Sequence, residues 1–295
     1  MHILVLAIGF GIVSGAILCV SAMGFSLQFG MTNVLNLSYG TILSLGGLIA
    51  YLFAANGLSY WVGGAVGTLV AGAASLLLGS TLIRGFARRG ARVLEMAMVT
   101  LGLALVVEYG MASVTHSAIY QFQFPAGSRH TIAGMTFTTT QLLVILVAVL
   151  IVLVVEVLLH WTRLGRALRA TSQNPTLARA SGIRTSRVIN LTWFVTGLLG
   201  GLGGVLLAFS YQTVSFFMGT DYLPYILAVV ILGGIGSVGM AAVTSLVLGL
   251  VTQIAGAYGA SSYNVVIALG IVLVVLVARP GGLVGSLYAK QEVVV

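Results

Sequence analysis

Eight apolar stretches separated by short polar or basic connections set the pattern of this chain: Ile3–Met23, Leu35–Ala54, Trp61–Ile83, Val93–Val114, Gln141–Trp161, Val188–Tyr211, Tyr225–Tyr258 and Tyr263–Ala278. Most have the length of about 20 residues that carries a helix across the hydrocarbon core of a bilayer. Two interruptions stand out. Between Phe25 and Gly40 the residues Gln28, Thr32, Asn33, Asn36, Ser38 and Tyr39 break what would otherwise be one long span. Tyr225–Tyr258 is too long for one ordinary crossing and is cut by Gly233, Gly234, Gly236 and Gly239. A half-helix that enters, turns at these glycines and leaves again is the expected arrangement. Non-helical backbone at that depth is tolerated only where protein or a wet cavity surrounds it. The pattern therefore predicts an all-α, polytopic integral membrane protein with about eight transmembrane helices, one or two of them broken or re-entrant.

Composition agrees. Hydrophobic residues make up 59% of the 295 and charged residues 6%, with a mean hydropathy of +1.13, well above the soluble range of about 45–50% apolar. Cys19 is the only cysteine and sits in the first apolar run, so no disulfide framework is available. Met1–Val20 lacks a positive leading region and continues into more apolar sequence, which reads as a span rather than a cleaved signal peptide. The 39 glycines recur at small-residue spacing, as in Gly11/Gly15, Gly63/Gly67, Gly197/Gly201 and Gly200/Gly204. That spacing suits close helix packing inside one bundle.

The formal charge of +8 is concentrated. Four arginines lie in Arg84–Arg92 and six in Arg163–Arg187, out of 13 basic residues in all. Both clusters connect apolar runs, so membrane topology explains them better than nucleic acid does. Basic short loops stay in the cytoplasm, and the two clusters agree in parity. His116–Thr140 then lies outside, and a turn at the glycines of Tyr225–Tyr258 brings Arg279 and Lys290 inside. The chain is expected to be a single transmembrane domain over residues 1–295, with the cytoplasmic loop 162–187 as its one sizeable polar element.

Several chemistries lack their parts. Gly234-Ile-Gly-Ser-Val-Gly239 matches a dinucleotide fingerprint in letters only, because no acidic residue follows until Glu292 and the ribose needs a carboxylate about 20 residues on. The only lysine is Lys290, so there is no Walker-type phosphate loop and any ATP must be hydrolysed by another polypeptide. His2, His116, His130 and His160 are scattered, none paired at ligand spacing, and Ser237 has no histidine at its depth to activate it. No cofactor or metal is expected in this chain.

Ionisable groups in lipid are costly and usually functional. Glu95, three residues from Arg92, and Glu156, four before His160, are expected to be locally paired. Glu108 has no basic neighbour in sequence and lies roughly 20 Å along its helix from Arg92, past the middle of the bilayer. It is a candidate for a polar path. The interrupted segment with Asn33, Asn36, Ser38 and Tyr39 is the second candidate, since breaks in hydrophobic segments point to transport sites; bonding between helices is the competing explanation.

Within the basic loop, Ser172–Ile183 is punctuated as a short helix. Asn174 is a good N-cap, Pro175 fits the first helical position, and Gly182 can end the helix in a left-handed conformation. So short a helix is not stable alone in water. Its exposed Leu177 and Arg179 point to a protein partner, with docking on its own bundle or on lipid headgroups as the alternative.

These residues carry a resemblance. Asn36-Leu-Ser-Tyr-Gly40 is similar to the Asn-Phe-Ala-His-Gly segment of bacterial ABC-importer permeases of the branched-chain amino acid (Liv) type, with Ser38-Tyr39 in place of Ala-His. Gly165-Arg-Ala-x-Arg-Ala170, Ala178, Gly182-Ile183 and Arg187-Val-Ile189 resemble that family's cytoplasmic coupling loop, and Leu232–Ser237 and Arg279–Gly285 match near the C-terminus. The resemblance implies a non-catalytic permease subunit of the bacterial inner membrane, paired with a second homologous permease, two cytoplasmic ATPases and an extracytoplasmic binding protein. Asn174, Pro175, Leu177, Arg179 and Gly182 would then form the helix seated on an ATPase, and Asn33, Asn36, Ser38, Tyr39 and Glu108 would border the solute path. The implied cargo is a branched-chain or other hydrophobic amino acid. Urea, amide or sugar permeases share the architecture, and an ion-coupled transporter with its ion at Glu108 is the reading from another class.

Overall fold

A computed structural model of the chain describes residues 2–122, 127–132, 134–260 and 263–278. The helices are α1 (His2–Thr32), α2 (Tyr39–Ala55), α3 (Tyr60–Leu78), α4 (Arg84–Arg88), α5 (Val93–Thr115), α6 (Thr139–Trp161), α7 (Arg163–Gln173), α8 (Pro175–Ala180), α9 (Thr185–Tyr211), α10 (Met218–Gly233), α11 (Val238–Ala255) and α12 (Asn264–Ala278). A π-helical turn, Gly79–Ile83, joins α3 to α4. Six helical segments are long and apolar enough to span a membrane, and the shorter α2, α10 and α12 accompany them. The protein is a multi-pass helical membrane protein.

The count of apolar helices among the described residues is therefore nine, against the eight expected. The difference arises at Tyr225–Tyr258, which is two helices. Gly234 and Gly236 take φ values of +88° and +86°, a conformation side chains resist, and they fold a tight turn in which the Ser237 N–H donates to the Gly234 carbonyl at 3.0 Å. The descending arm, α10, starts at Met218 rather than Tyr225 and carries Pro224 within it.

The polar break is also narrower than expected. Helix α1 continues nine residues beyond Met23, because Ser26 and Gln28 are buried within the bundle and the Thr32 hydroxyl donates to the Gln28 carbonyl, 2.8 Å away. Only 33–38 is non-helical.

At the centre stands α1, buried from Val13 to Leu27 and apolar there except for the buried Ser14, Ser21 and Ser26. It packs on α11, α9, α6 and α10. The expected small-residue packing occurs within the chain: Gly11 and Gly15 abut Leu250 and Leu246 of α11, and a methyl on Gly46 of α2 would overlap Gly201 of α9. Lipid supplies no hydrophobic force between helices, so backbone approach of this kind holds them together. Helices α5, α6 and α12 lie at the periphery and expose Leu105, Val106, Leu150, Leu153, Leu273 and Val274.

Directions follow from contacts. Val34, just after α1, packs with Ile83, Met96 and Trp193, all near the arginine-bearing ends of α3, α5 and α9. The start of α1 is thus at the face opposite the arginines, which basic loops on the cytoplasmic side would make the outer one. Helix α12 begins beside Tyr211 and Gln253 at that outer face and runs back toward the arginines. Arg279, Lys290 and the Arg279–Gly285 motif lie outside the described residues.

The outer connections contain short strands that an all-helical reading did not anticipate. β2 (Arg129–Ile132) and β3 (Met135–Thr138) form a hairpin. β1 (Tyr120–Gln121) pairs with β4 (Thr213–Val214), tying the segment after α5 to the connection between α9 and α10. Phe122, buried beside the strap, stacks on Phe209 with centroids 5.4 Å apart.

Candidate substrate path and coupling surface

The basic loop is folded throughout. Thr162 begins α7, its hydroxyl accepting the Gly165 N–H at 3.1 Å. Gly165 lies so close to the Leu158 and Leu159 carbonyls that a methyl there would overlap them, which accounts for glycine at this place. Leu168 and Thr171 are buried, while Arg163, Arg166 and Arg169 are on the exposed side.

Asn174 then caps α8: its Oδ1 accepts the backbone N–H groups of Thr176 at 3.1 Å and Leu177 at 2.9 Å. Pro175 occupies the first turn. Gly182, at φ +83°, closes the far end, where the Ile183 N–H donates to the Ala178 carbonyl at 3.0 Å. Ala178 is 3% exposed and docks the helix on the bundle, whereas Leu177 is 64% exposed. Arg179 is exposed too, its Nε donating to the Pro175 carbonyl at 3.2 Å. Of the two expectations for α8, then, docking on the bundle uses one face and leaves the other open.

The residues of the break are placed differently from one another. Asn33 is exposed and terminates α1 at φ +52°, a conformation asparagine tolerates. Asn36 is buried, its Nδ2 donating to Gln28 Oε1 at 3.1 Å, while its Oδ1 accepts the Ser38 hydroxyl at 2.6 Å and the Ser38 N–H at 3.1 Å. Tyr39 is fully buried and donates to the Ser21 carbonyl at 2.9 Å. The Thr100 hydroxyl of α5 serves the broken backbone, accepting from the Leu37 N–H and donating to the Leu35 carbonyl, each at 3.1 Å. Asn36, Ser38 and Tyr39 thus spend hydrogen bonds on protein groups, and the break is a braced feature.

Glu108 contrasts with them. It is 2% exposed, and its Oε1 has no hydrogen-bond partner among the described residues. It faces the first turn of α10, where the Thr220 hydroxyl, buried and close to the carboxylate without a well-formed hydrogen bond to it, and Asp221 are its neighbours. That turn is held in place by α2. The Gly219 N–H donates to Ser44 Oγ at 2.8 Å, and Gly219 packs backbone to backbone against Gly40.

The other carboxylates are local. Glu156 Oε2 lies 2.9 Å from His160 Nδ1, as the spacing predicts. Glu95 accepts the backbone N–H of Arg92 at 2.9 Å, so its partner is the main chain at the helix start. Arg84 reaches across to Asn190 Oδ1 at 2.8 Å, joining α4 to α9.

Thr220 and Asp221 were missed by the sequence reading. A signal existed: Asp221 is one of five acidic residues in the chain and lies three before Pro224, one of four prolines. A polar cavity of about 70 Å³ was missed as well, lined by Ser14, Tyr211, Tyr222, Tyr225, Gln253 and Asn264 among others. It has room for a few waters. Its residues come from five helices, and nothing local marks them.

Residues 7–277 match the family described as branched-chain amino acid transport system, permease component. Among similar proteins, the chain is 24% identical to the high-affinity branched-chain amino acid permease LivH of Escherichia coli strain K12, covering 93% of each. It is 25% identical to BraD of Pseudomonas aeruginosa, covering 93% of this chain and 94% of BraD. Similarity extends to LivM of Escherichia coli strain K12, 24% identical over 88% of this chain and 66% of LivM. With the matched region running from the first helix into the last and taking in both the interrupted segment and the capped helix of the basic loop, the chain belongs to the branched-chain amino acid transport system permease family.

Proposed function

We propose that this protein is one transmembrane half of an ATP-driven importer of small solutes, with branched-chain or other hydrophobic amino acids as cargo, in the cytoplasmic membrane of a bacterium. All of residues 1–295 form one permease domain. It works beside a second, homologous permease, two cytoplasmic ATP-binding subunits and an extracytoplasmic binding protein. Similarity to both LivH and LivM, which carry the same transport-system name in one organism, supports a paired permease.

The observation that carries the reading is α8. Its ends are closed by Asn174 and Gly182, and Ala178 seats it on the bundle, while Leu177 stands 64% exposed on the arginine face. A capped helix presenting leucine and arginine into the cytoplasm fits a groove on an ATPase. The ATPase pair drives transport by binding one permease state better than the other, since a partner shifts a conformational equilibrium only by its differential affinity. Glu108 faces the solute path, and the braced break at Asn33, Asn36, Ser38 and Tyr39 shapes its wall.

Co-purification with tagged protein tests this. The wild type brings down the ATP-binding subunits, and Leu177→Asp and Arg179→Glu each lose them while the permease remains monodisperse. Uptake without any ATPase, or unaltered assembly in both variants, would sink the reading.

A further inference from the structure

We propose that Glu108, Thr220 and Asp221 hold the ammonium group of the solute as it passes the outer half of the bundle. The inference rests on the importer reading above and narrows its cargo to solutes that carry a primary ammonium.

The site is built from oxygen alone. Glu108 Oε1 and Thr220 Oγ1 are buried and make no well-formed hydrogen bond, although they lie close enough to interact with one another, and Asp221 brings a second carboxylate to the same turn. Pro224 adds to this, because it has no N–H to give the Thr220 carbonyl four residues back. Two carboxylates, a hydroxyl and a carbonyl freed from its helix all accept hydrogen bonds, and an ammonium offers three donors and a positive charge.

Among the described residues no arginine or lysine is at hand to neutralise them, and His116, two turns further along α5, is exposed at the helix end. Of the basic residues described, all but Arg129 lie at the arginine face, and Arg129 is exposed on the β2–β3 hairpin. A carboxylate shut away from water without a counter-charge is unfavourable and is relieved by a proton or by a cation; in the proposed site a cation that arrives with the solute displaces the proton. Urea and sugars bring no such charge. Geometry also allows access: α5 carries Glu108 on the bundle edge and packs chiefly on α2, while Asp221 is already exposed. A displacement of α5 would open the pair without unfolding α10.

The test uses the complete transporter in proteoliposomes, with ATP inside and L-leucine delivered by the binding protein. Glu108→Gln and Asp221→Asn are each expected to lower leucine uptake about tenfold to hundredfold, the worth of a charged hydrogen bond. Binding-protein-stimulated ATP hydrolysis should persist, so that more ATP is spent per leucine moved. Asp221→Asn, at an exposed position, serves if Glu108→Gln fails to assemble. Wild-type uptake with both variants transporting at the wild-type rate overturns this inference and leaves the importer reading standing. Uptake that requires sodium, with the requirement lost in Glu108→Gln, assigns the site to an inorganic cation and overturns it also. A wild-type complex that moves urea or ribose but no amino acid removes both the site and the cargo assignment.

Discussion

The two polar regions of this apolar protein are built on opposite terms. At the arginine face, α8 has its polar backbone satisfied by Asn174 and by the turn at Gly182, and what remains exposed includes a large hydrocarbon side chain, Leu177, beside Arg179. In the outer half, α5 and α10 bring Glu108 and Thr220 together with polar atoms that make no well-formed hydrogen bond, next to Asp221. The first region has its helix ends closed by hydrogen bonds and an apolar side chain uncovered; the second has its side chains largely covered and polar atoms left without good bonds. Each deficit describes the kind of partner that would fill it: an apolar protein groove in one case, a small charged ligand in the other.

The contrast can be broken most forcefully at Gly219. Gly219→Val would drive a side chain into the Gly40 carbonyl, at a cost of about 3 kcal/mol for overpacking. A large fall in the thermal midpoint measured by size-exclusion survival is expected, and a midpoint equal to wild type would contradict the close α2–α10 contact. Next in size is Asn174→Ala, which removes the acceptor for two N–H groups and costs about 1 kcal/mol. Because α8 is peripheral, the bundle should melt unchanged while ATPase co-purification falls severalfold; Asn174→Asp should retain it.

Pro224→Ala sharpens the outer region. It supplies the missing donor to the Thr220 carbonyl, stabilising α10 by about 1 kcal/mol and lowering leucine uptake severalfold. Greater stability with undiminished uptake would separate the proline from transport. The smallest effect is expected at Glu156→Gln, which breaks a half-exposed pair with His160. Such pairs contribute below about 0.5 kcal/mol, so neither melting nor uptake should change measurably.

The two regions also differed in how far the chain announced them. Asn174, Pro175 and Gly182 act on backbone within three or four residues, and the capped helix they predict is the one found. The glycine turn at Gly234–Gly236 was legible for the same reason. What escaped were relations between distant segments. Nothing near Glu108 marks Thr220, more than a hundred residues away, as its neighbour, and the extension of α10 back to Met218 depends on Ser44 and Gly40 of α2. Polarity misled at Phe25–Thr32: Ser26 and Gln28 look like a break when burial depth is unknown, yet they sit inside a continuous helix. The β1–β4 pairing joins two-residue strands some ninety positions apart, too short to leave a periodic trace.

That pairing has a mechanical consequence. Helix α9 runs without interruption for 27 residues, about 40 Å. Its inner end follows α8 after a short turn, and its outer end reaches β4 one residue later. If α8 is the coupling helix, a load applied there would pass along a single strut to the strap that also follows α5. On the proposed coupling the parts form a bell crank: a stroke entering at Leu177 would reach, at the other end, the strap and the packed end of the helix that carries Glu108.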